Sequence, residues 1–251
     1  MVIPVVKGTI ARRILVNFRA DPDVVQAQLP SPFRPKLHDG NAIVGVCLIR
    51  LEHIRPAMLP ALVGIASENA AHRVAVQWDE NGQTREGVFI PRRDTNSRLN
   101  HLLGERVFPA QSQLADFQVQ STDKHINFHM RSHDGNVEVR VAGEIQNALP
   151  SSSCFASLPD ASKFFEGGSL GYAVRHNADC LDGLELKTLH WRVEALTVSD
   201  VFSSYFADES KFPKGSVIFD HALIMRNIEH EWHAVHAMRV EPHSQSMEKS
   251  L

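Results

Sequence analysis

The segment His72–Pro91, HRVAVQWDENGQTREGVFIP, sets His72, Val74, Val76 and Trp78 against Arg73, Ala75 and Gln77, then turns through Asp79-Glu80-Asn81-Gly82 and returns along Gly87-Val88-Phe89-Ile90-Pro91. Period-two alternation followed by a turn of this chemistry predicts a β-hairpin. Upstream, residues 42–51 (AIVGVCLIRL) are almost continuously apolar and rich in β-branched side chains, as expected of a strand covered on both faces. Further alternating runs fall at 113–120, 124–131, 136–146, 169–175, 184–193, 217–226 and 230–240.

Three short helices fit between these runs. In the first, Asp21 caps and Pro22 takes the first helical position ahead of Val24, Val25 and Leu29, with Pro30 as the stop. In the second, Asp94 or Thr95 caps, Leu99, Leu102 and Leu103 form the apolar stripe, and Gly104 ends it. The third is placed near 199–211. The Pro/Ser-rich stretch 148–163 marks an internal joint, too short and too apolar for a free linker. Most connections are too short for the amphipathic helix that parallel winding requires. The prediction is one α+β domain over 1–251, mostly antiparallel β, of barrel or sandwich type, with a core at about 8–240.

The 251 residues are 43% hydrophobic and 22% charged, and a domain of this length buries roughly three quarters of its unfolded surface without needing staples. A net charge of −3, with both signs mixed along the chain, argues against a nucleic-acid partner. No apolar run reaches the ~18 residues that span a bilayer, so no membrane partner is expected either. The first twenty-one residues place their positive charges after the apolar ones, unlike a signal peptide, and the expected location is cytoplasmic. Cys47, Cys154 and Cys180 are odd in number and scattered, as expected of reduced thiols. A homodimer is expected on symmetry frequencies alone.

Three guanidiniums, Arg92, Arg93 and Arg98, crowd the point where the hairpin ends and a helix begins. Such a cluster suits a carboxylate or phosphate. The competing reading is a solvated loop in which Arg92 or Arg93 pairs with Asp94 and Arg98 faces water. Histidine is abundant, at 14 residues, but His125 and His129 lie on a strand pattern, roughly 13 Å apart and too far to share one ion. His230-Glu231-Trp232-His233 is one residue short of the HExxH spacing, so no metal and no other cofactor is expected. Glu68 and Glu86 flank the hairpin; brought together, one would be an acid of raised pKa. Nucleophile elbow, Walker A and dinucleotide fingerprints are missing from the sequence.

Five blocks in order carry a resemblance: Arg12–Arg19 (RRILVNFR), Leu29–Pro35 (LPSPFRP), Ser67–Arg73 (SENAAHR), Ile90–Thr95 (IPRRDT) and His230–His233 (HEWH). The chain resembles the uncharacterised YqjF-like family, domain of unknown function 2071, over about residues 8–236, and that family is similar to the acetoacetate-decarboxylase-like superfamily. The resemblance implies a closed antiparallel β-barrel around a cavity. It also implies a Schiff-base lysine in a Pro-Lys-Lys segment, where this chain has Phe108-Pro109-Ala110-Gln111. A glutamine amide has no lone pair for carbonyl addition, so decarboxylation by the enamine route is not expected. Glu68 matches an acidic residue near that lysine, and Arg12, across a one-residue gap, an arginine of the cavity; Arg93 and Asp94 could instead pair to lock the corner. The resulting expectation is a cavity that takes a small carboxylate, with Arg12, Arg92, Arg93 and Arg98 binding it and Glu68 and Gln111 placed for catalysis. Two alternatives stand beside it: a decarboxylase-like lyase using other residues, such as a lysine from elsewhere in the chain, although nothing in the sequence directs Lys163, Lys187, Lys211 or Lys214 into the cavity, and a non-enzymatic interaction protein with a filled interior.

Overall fold

The structure is a computed structural model that describes residues 5–103, 112–174 and 180–239. Its strands are β1 (Val6–Ala20), β2 (Arg34–Pro35), β3 (Leu37–His38), β4 (Asn41–Pro56), β5 (Ile65–Glu80), β6 (Gln83–Thr95), β7 (Ser112–Ser121), β8 (His125–Ser132), β9 (Glu138–Gln146), β10 (Leu170–Val174), β11 (Cys180–Thr188), β12 (Glu194–Ser203) and β13 (Val217–Arg239). The helices are α1 (Pro22–Gln26), α2 (Arg98–Leu103) and α3 (Leu158–Glu166). No helix among the described residues is long and apolar enough to cross a membrane.

The hairpin forms as expected from its turn chemistry. Asn81 and Gly82 both take positive φ, 51° and 75°, as a two-residue turn matched to strand twist demands. Asp21 caps α1, accepting from the backbone N–H groups of Asp23 and Val24. On β8 the buried residues are Ile126, Phe128, Met130 and Ser132, so its histidines follow strand alternation.

The α+β, mostly antiparallel architecture is observed, with four departures in the elements. The long strand β1 was not among the expected runs. Residues 199–211 hold the end of β12 and turns instead of a helix: Val198, Val201 and Phe202 mimic helical spacing, but β12 pairs with β9 across a bulge between Val198 and Asp200. Within 148–163 a helix begins, capped by the Ser157 hydroxyl accepting from Asp160 N–H, and it buries Ala161 and Phe165. Asp94 and Thr95 still belong to β6; the Thr95 hydroxyl accepts from Ser97 N–H just before α2, while Gly104 lies outside the described residues.

Pairing is antiparallel except where β6 meets β7 and β10, which run parallel to it. The sheet closes on itself twice. One circuit runs β6-β5-β4-β1-β13-β11-β10 and back to β6; the other leaves β6 through β7, β8, β9 and β12 to β13. Both share the wall β13-β1-β4-β5-β6. One face of that wall packs Ile14, Val16, Val46, Leu48 and Ala70 against Phe128, Met130, Val139, Val141 and Leu196 in the main core. On the other face Leu15, Ile43 and Ala75 meet Phe155, Ala161 and Phe165 around α3.

Gly87 is where β10 seats on β6. A Cβ there would come 2.3 Å from the Leu170 carbonyl oxygen, which is backbone and cannot swing away. Gly87→Ala is therefore expected to cost about 1–3 kcal/mol in chemical denaturation, as overpacking does. Wild-type stability would show that the closure tolerates separation.

Candidate functional site

The second face of the shared wall is not filled. Beside the α3 cluster, the first circuit lines a half-open cavity of about 160 Å³, comparable in volume to one that holds a benzene-sized molecule. Its wall supplies Arg13, Cys47, Ile49, Asn69, Ala71, Arg73, Ile90 and Arg93, while Gly171, Leu184, Leu186 and Trp232 come from β10, β11 and β13. Pairing register sets the floor: Leu15 lies opposite Cys47, Cys47 opposite Ala71, and Ala71 opposite Arg93. Only a methyl group at Ala71 stands between the thiol and the Arg93 side chain, which keeps this row open.

Three guanidiniums converge on this space. The Arg13 Nε–H donates to Cys47 Sγ at 3.3 Å, with the guanidinium 5.9 Å from the Trp191 ring centroid. Arg73 is 4% exposed; its Nη2 donates to Asn17 Oδ1, and it lies 4.9 Å from the Phe165 ring centroid. Burial lowers Arg73 and Arg93 to about 10 each, so both stay charged at neutral pH. Among the described residues no carboxylate acts on either, and the Nε of each is buried without a partner. Buried cations without a counter-charge are costly, and an anion in the cavity would offset that cost.

Arg73 is aimed by a chain of hydrogen bonds reaching β13. Because an arginine only donates, Asn17 must present Oδ1 to it, which directs the Asn17 amide N–H groups to Leu15 O at 3.2 Å and His221 Nε2 at 3.0 Å. His221 Nε2 is then the acceptor, and Nδ1–H donates to Asp220 Oδ2 at 2.6 Å. Asp220 also accepts from Ser153 Oγ at 2.6 Å, Cys154 N–H at 2.9 Å and Arg19 Nη1 at 3.1 Å. Burial pushes Asp220 up, but these donors, His221 foremost, outweigh it and hold the carboxyl well below its usual range. Burial also keeps His221 below the ordinary histidine value, against the pull of Asp220.

The residues singled out by sequence are divided among three places. Arg93 faces the cavity. Arg12 and Glu68 lie on the main-core face, joined at 2.7 Å, with Arg12 5.9 Å from the Phe128 ring centroid. Burial raises the Glu68 carboxyl despite Arg12 and lowers the Arg12 guanidinium despite Glu68. Arg92, not Arg93, is the partner of Asp94, at 2.7 Å, and it also reaches Asp134 at 3.1 Å. Arg98 is exposed on α2, and Gln111 lies outside the described residues. Glu68 and Glu86 sit at opposite ends of the hairpin, separated by about 30 Å of strand. Glu86 pairs with Lys36 at 2.6 Å beside a smaller adjoining pocket.

A bulge explains the division of the two arginines. His72 pairs with Arg92 and Val74 with Phe89, so Ile90 and Pro91 together face the single residue Arg73. One extra residue shifts the alternation, turning Arg93 to the cavity and Arg92 to the other side. Arg13, Arg73 and Cys47 were not among the expected site residues. Their signal was available: on strands buried on both faces, the polar side chains of the second phase need a partner too.

Lys163, Lys187, Lys211 and Lys214 are exposed, and no described lysine lines the cavity. His230 is buried and His233 pairs with Glu231 at 2.8 Å, both on the continuous strand β13.

A family model described as an uncharacterised conserved protein, DUF2071, matches residues 8–201. No curated protein matches the chain. Among solved structures it is similar to acetoacetate decarboxylase from Legionella pneumophila, with 12% identity and a TM-score of 0.59 over 92% of this chain and 87% of that one. An acetoacetate decarboxylase-like enzyme from Sphingomonas wittichii RW1 aligns at 14% identity and TM-score 0.55, covering 96% and 94%. The enduracididine biosynthesis enzyme MppR complexed with pyruvate aligns at 10% identity and TM-score 0.59, covering 95% and 90%. The twice-closed sheet is thus the fold of these proteins, and the chain belongs to the DUF2071 family.

Proposed function

We propose that this protein binds a small organic acid in the cavity, with the carboxylate held by Arg73, Arg93 and Arg13. The carrying observation is the buried Arg73 guanidinium beside the half-buried Arg93, both facing a 160 Å³ space without a carboxylate acting on them among the described residues. Planar guanidiniums bind carboxylates through paired N–H donors, and the apolar walls Ile49, Ile90, Leu184 and Leu186 suit a short carbon skeleton. The pyruvate complex of the similarly folded MppR supports an acid of this size. In this reading Arg12, Glu68 and Arg92 serve the frame. Gln111, at the place of the superfamily lysine, leaves the enamine route without its amine. Any chemistry then proceeds by other means, with the guanidiniums stabilising negative charge that develops on the ligand.

The test is thermal unfolding with acetate, pyruvate, succinate and inorganic phosphate, and with acetamide as the uncharged control. An acid at one hundred times its Kd is expected to add about 2.7 kcal/mol. For a chain of this size that raises Tm by about 5–10 °C. Arg93→Gln and Arg73→Gln should each abolish the shift while circular dichroism stays native. Failure of every acid, or an undiminished shift in both variants, overturns the assignment.

A further inference from the structure

Cys47 occupies a position that carboxylate binding alone does not explain. It is 8% exposed, it lines the cavity, and the Arg13 Nε–H points at its sulfur at 3.3 Å. Arg93 stands two strands away in the same register row, and Arg73 lies opposite Gly45, diagonal to the thiol. Both guanidiniums interact electrostatically with Cys47. The attacking form of a cysteine is its thiolate. Arg73 adds an independent sign of a ligand: a side chain more than nine-tenths buried, lining the same cavity, whose Nε lacks a partner.

We propose that Cys47 is a nucleophile of the cavity, poised to attack a small acid whose electrophilic carbon lies within two bonds of its carboxylate. The proposal rests on the acid-binding reading above and adds the covalent step. With the carboxylate on Arg73 and Arg93, the neighbouring carbon is delivered towards Sγ. For an oxo acid the step balances without another reactant. The sulfur forms a bond to the carbonyl carbon, the C=O π pair moves onto oxygen, and that oxygen takes the proton released by the thiol. The product is a thiohemiketal, whose formation is reversible and whose oxygen lies among N–H donors while it carries charge.

The other two cysteines are internal controls. Cys154 is pushed up to about 12, by burial and by Asp220, and so is poor in thiolate. Cys180 is half-buried at the start of β11 and does not line the cavity.

The experiment uses two alkylating probes of similar size and different charge, iodoacetate and iodoacetamide, on the intact folded chain. With either, sulfur bonds to the methylene carbon, iodide leaves with the electron pair of the C–I bond, and the thiol proton goes to solvent. Peptide mass spectrometry reads the labelling rate at each cysteine. Iodoacetate is expected to label Cys47 at least ten-fold faster than iodoacetamide, with no such preference at Cys154 or Cys180. Arg93→Gln should bring the ratio at Cys47 near one, and Arg13→Lys, which keeps charge but removes the directed N–H, should slow both probes there. Cys47→Ser should abolish the fast phase and keep the acid-induced rise in Tm. If neither probe labels Cys47 while acids still raise Tm, the nucleophile is overturned and acid binding stands. If both label it equally and acids leave Tm unchanged, both readings fall; equal labelling with an intact Tm shift overturns only the guided attack.

Discussion

Replacing Glu68 with leucine is expected to destabilise the protein by about 3–5 kcal/mol, the usual consequence of removing one partner from a buried ion pair. Glu68 and Arg12 are 8% and 7% exposed and meet at 2.7 Å on the main-core face. Without the carboxylate, the Arg12 charge is stranded beside Phe128. The double variant Arg12→Met/Glu68→Leu should recover most of the loss, since apolar pairs of similar volume often match a buried ion pair in stability. Urea denaturation of the four proteins reads both effects. A single variant as stable as wild type would remove Glu68 from the frame and return it to consideration as a proton-transfer group.

Mild acid should destabilise the fold through histidines that it holds neutral. Burial lowers His72, bonded among the described residues only to Ser203 Oγ at 3.1 Å, to about 3, and lowers His230 to about 4. In the unfolded chain both titrate near 6.5. The unfolded chain therefore takes up protons first, so stability is complete above about pH 6.5 and falls as pH drops towards the folded values. Each histidine contributes about 1.4 kcal/mol per pH unit, or roughly 2.7 kcal/mol at pH 4.5. Together they remove about 5 kcal/mol, a large part of the 5–15 kcal/mol typical of a domain. His221, also lowered, acts in the same direction. Asp220, held low, adds its loss only below the usual carboxylate range. Glu68 and Asp94 act in the opposite direction: their carboxyls are raised, so the folded chain takes up those protons first and part of the loss is offset. The measurement is the urea midpoint at pH 8 and pH 4.5, in wild type and His72→Gln. The variant should lose about half as much; a midpoint unchanged between the two pH values in wild type would sink the argument.

Local rules read the strands well wherever one turn or one phase decided the matter. Asn81-Gly82 specified its hairpin, and alternation placed His125 and His129 on a strand rather than on a helix face. The same rules failed where spacing was ambiguous. Val198, Val201 and Phe202 suit either period, and pairing with β9 chose the strand. The Pro/Ser content of 148–163 concealed α3, although Ser157 and Pro159 are ordinary start signals. For the site, the cluster at Ile90–Thr95 was visible as charge, but the sequence pattern could not assign its faces.

From sequence alone came the hairpin, the two-sided burial of β4 and the family. These depend on composition and on periods within a few residues, which backbone geometry translates directly into structure. The tertiary structure alone decided which arginine enters the cavity. The extra residue at Ile90-Pro91 rotates Arg93 inward, Arg12 finds Glu68 fifty-six positions away, and β10 closes the ring that makes a hollow at all. Register and closure arise from contacts between distant strands, and a shift of one residue exchanges the two faces of a strand.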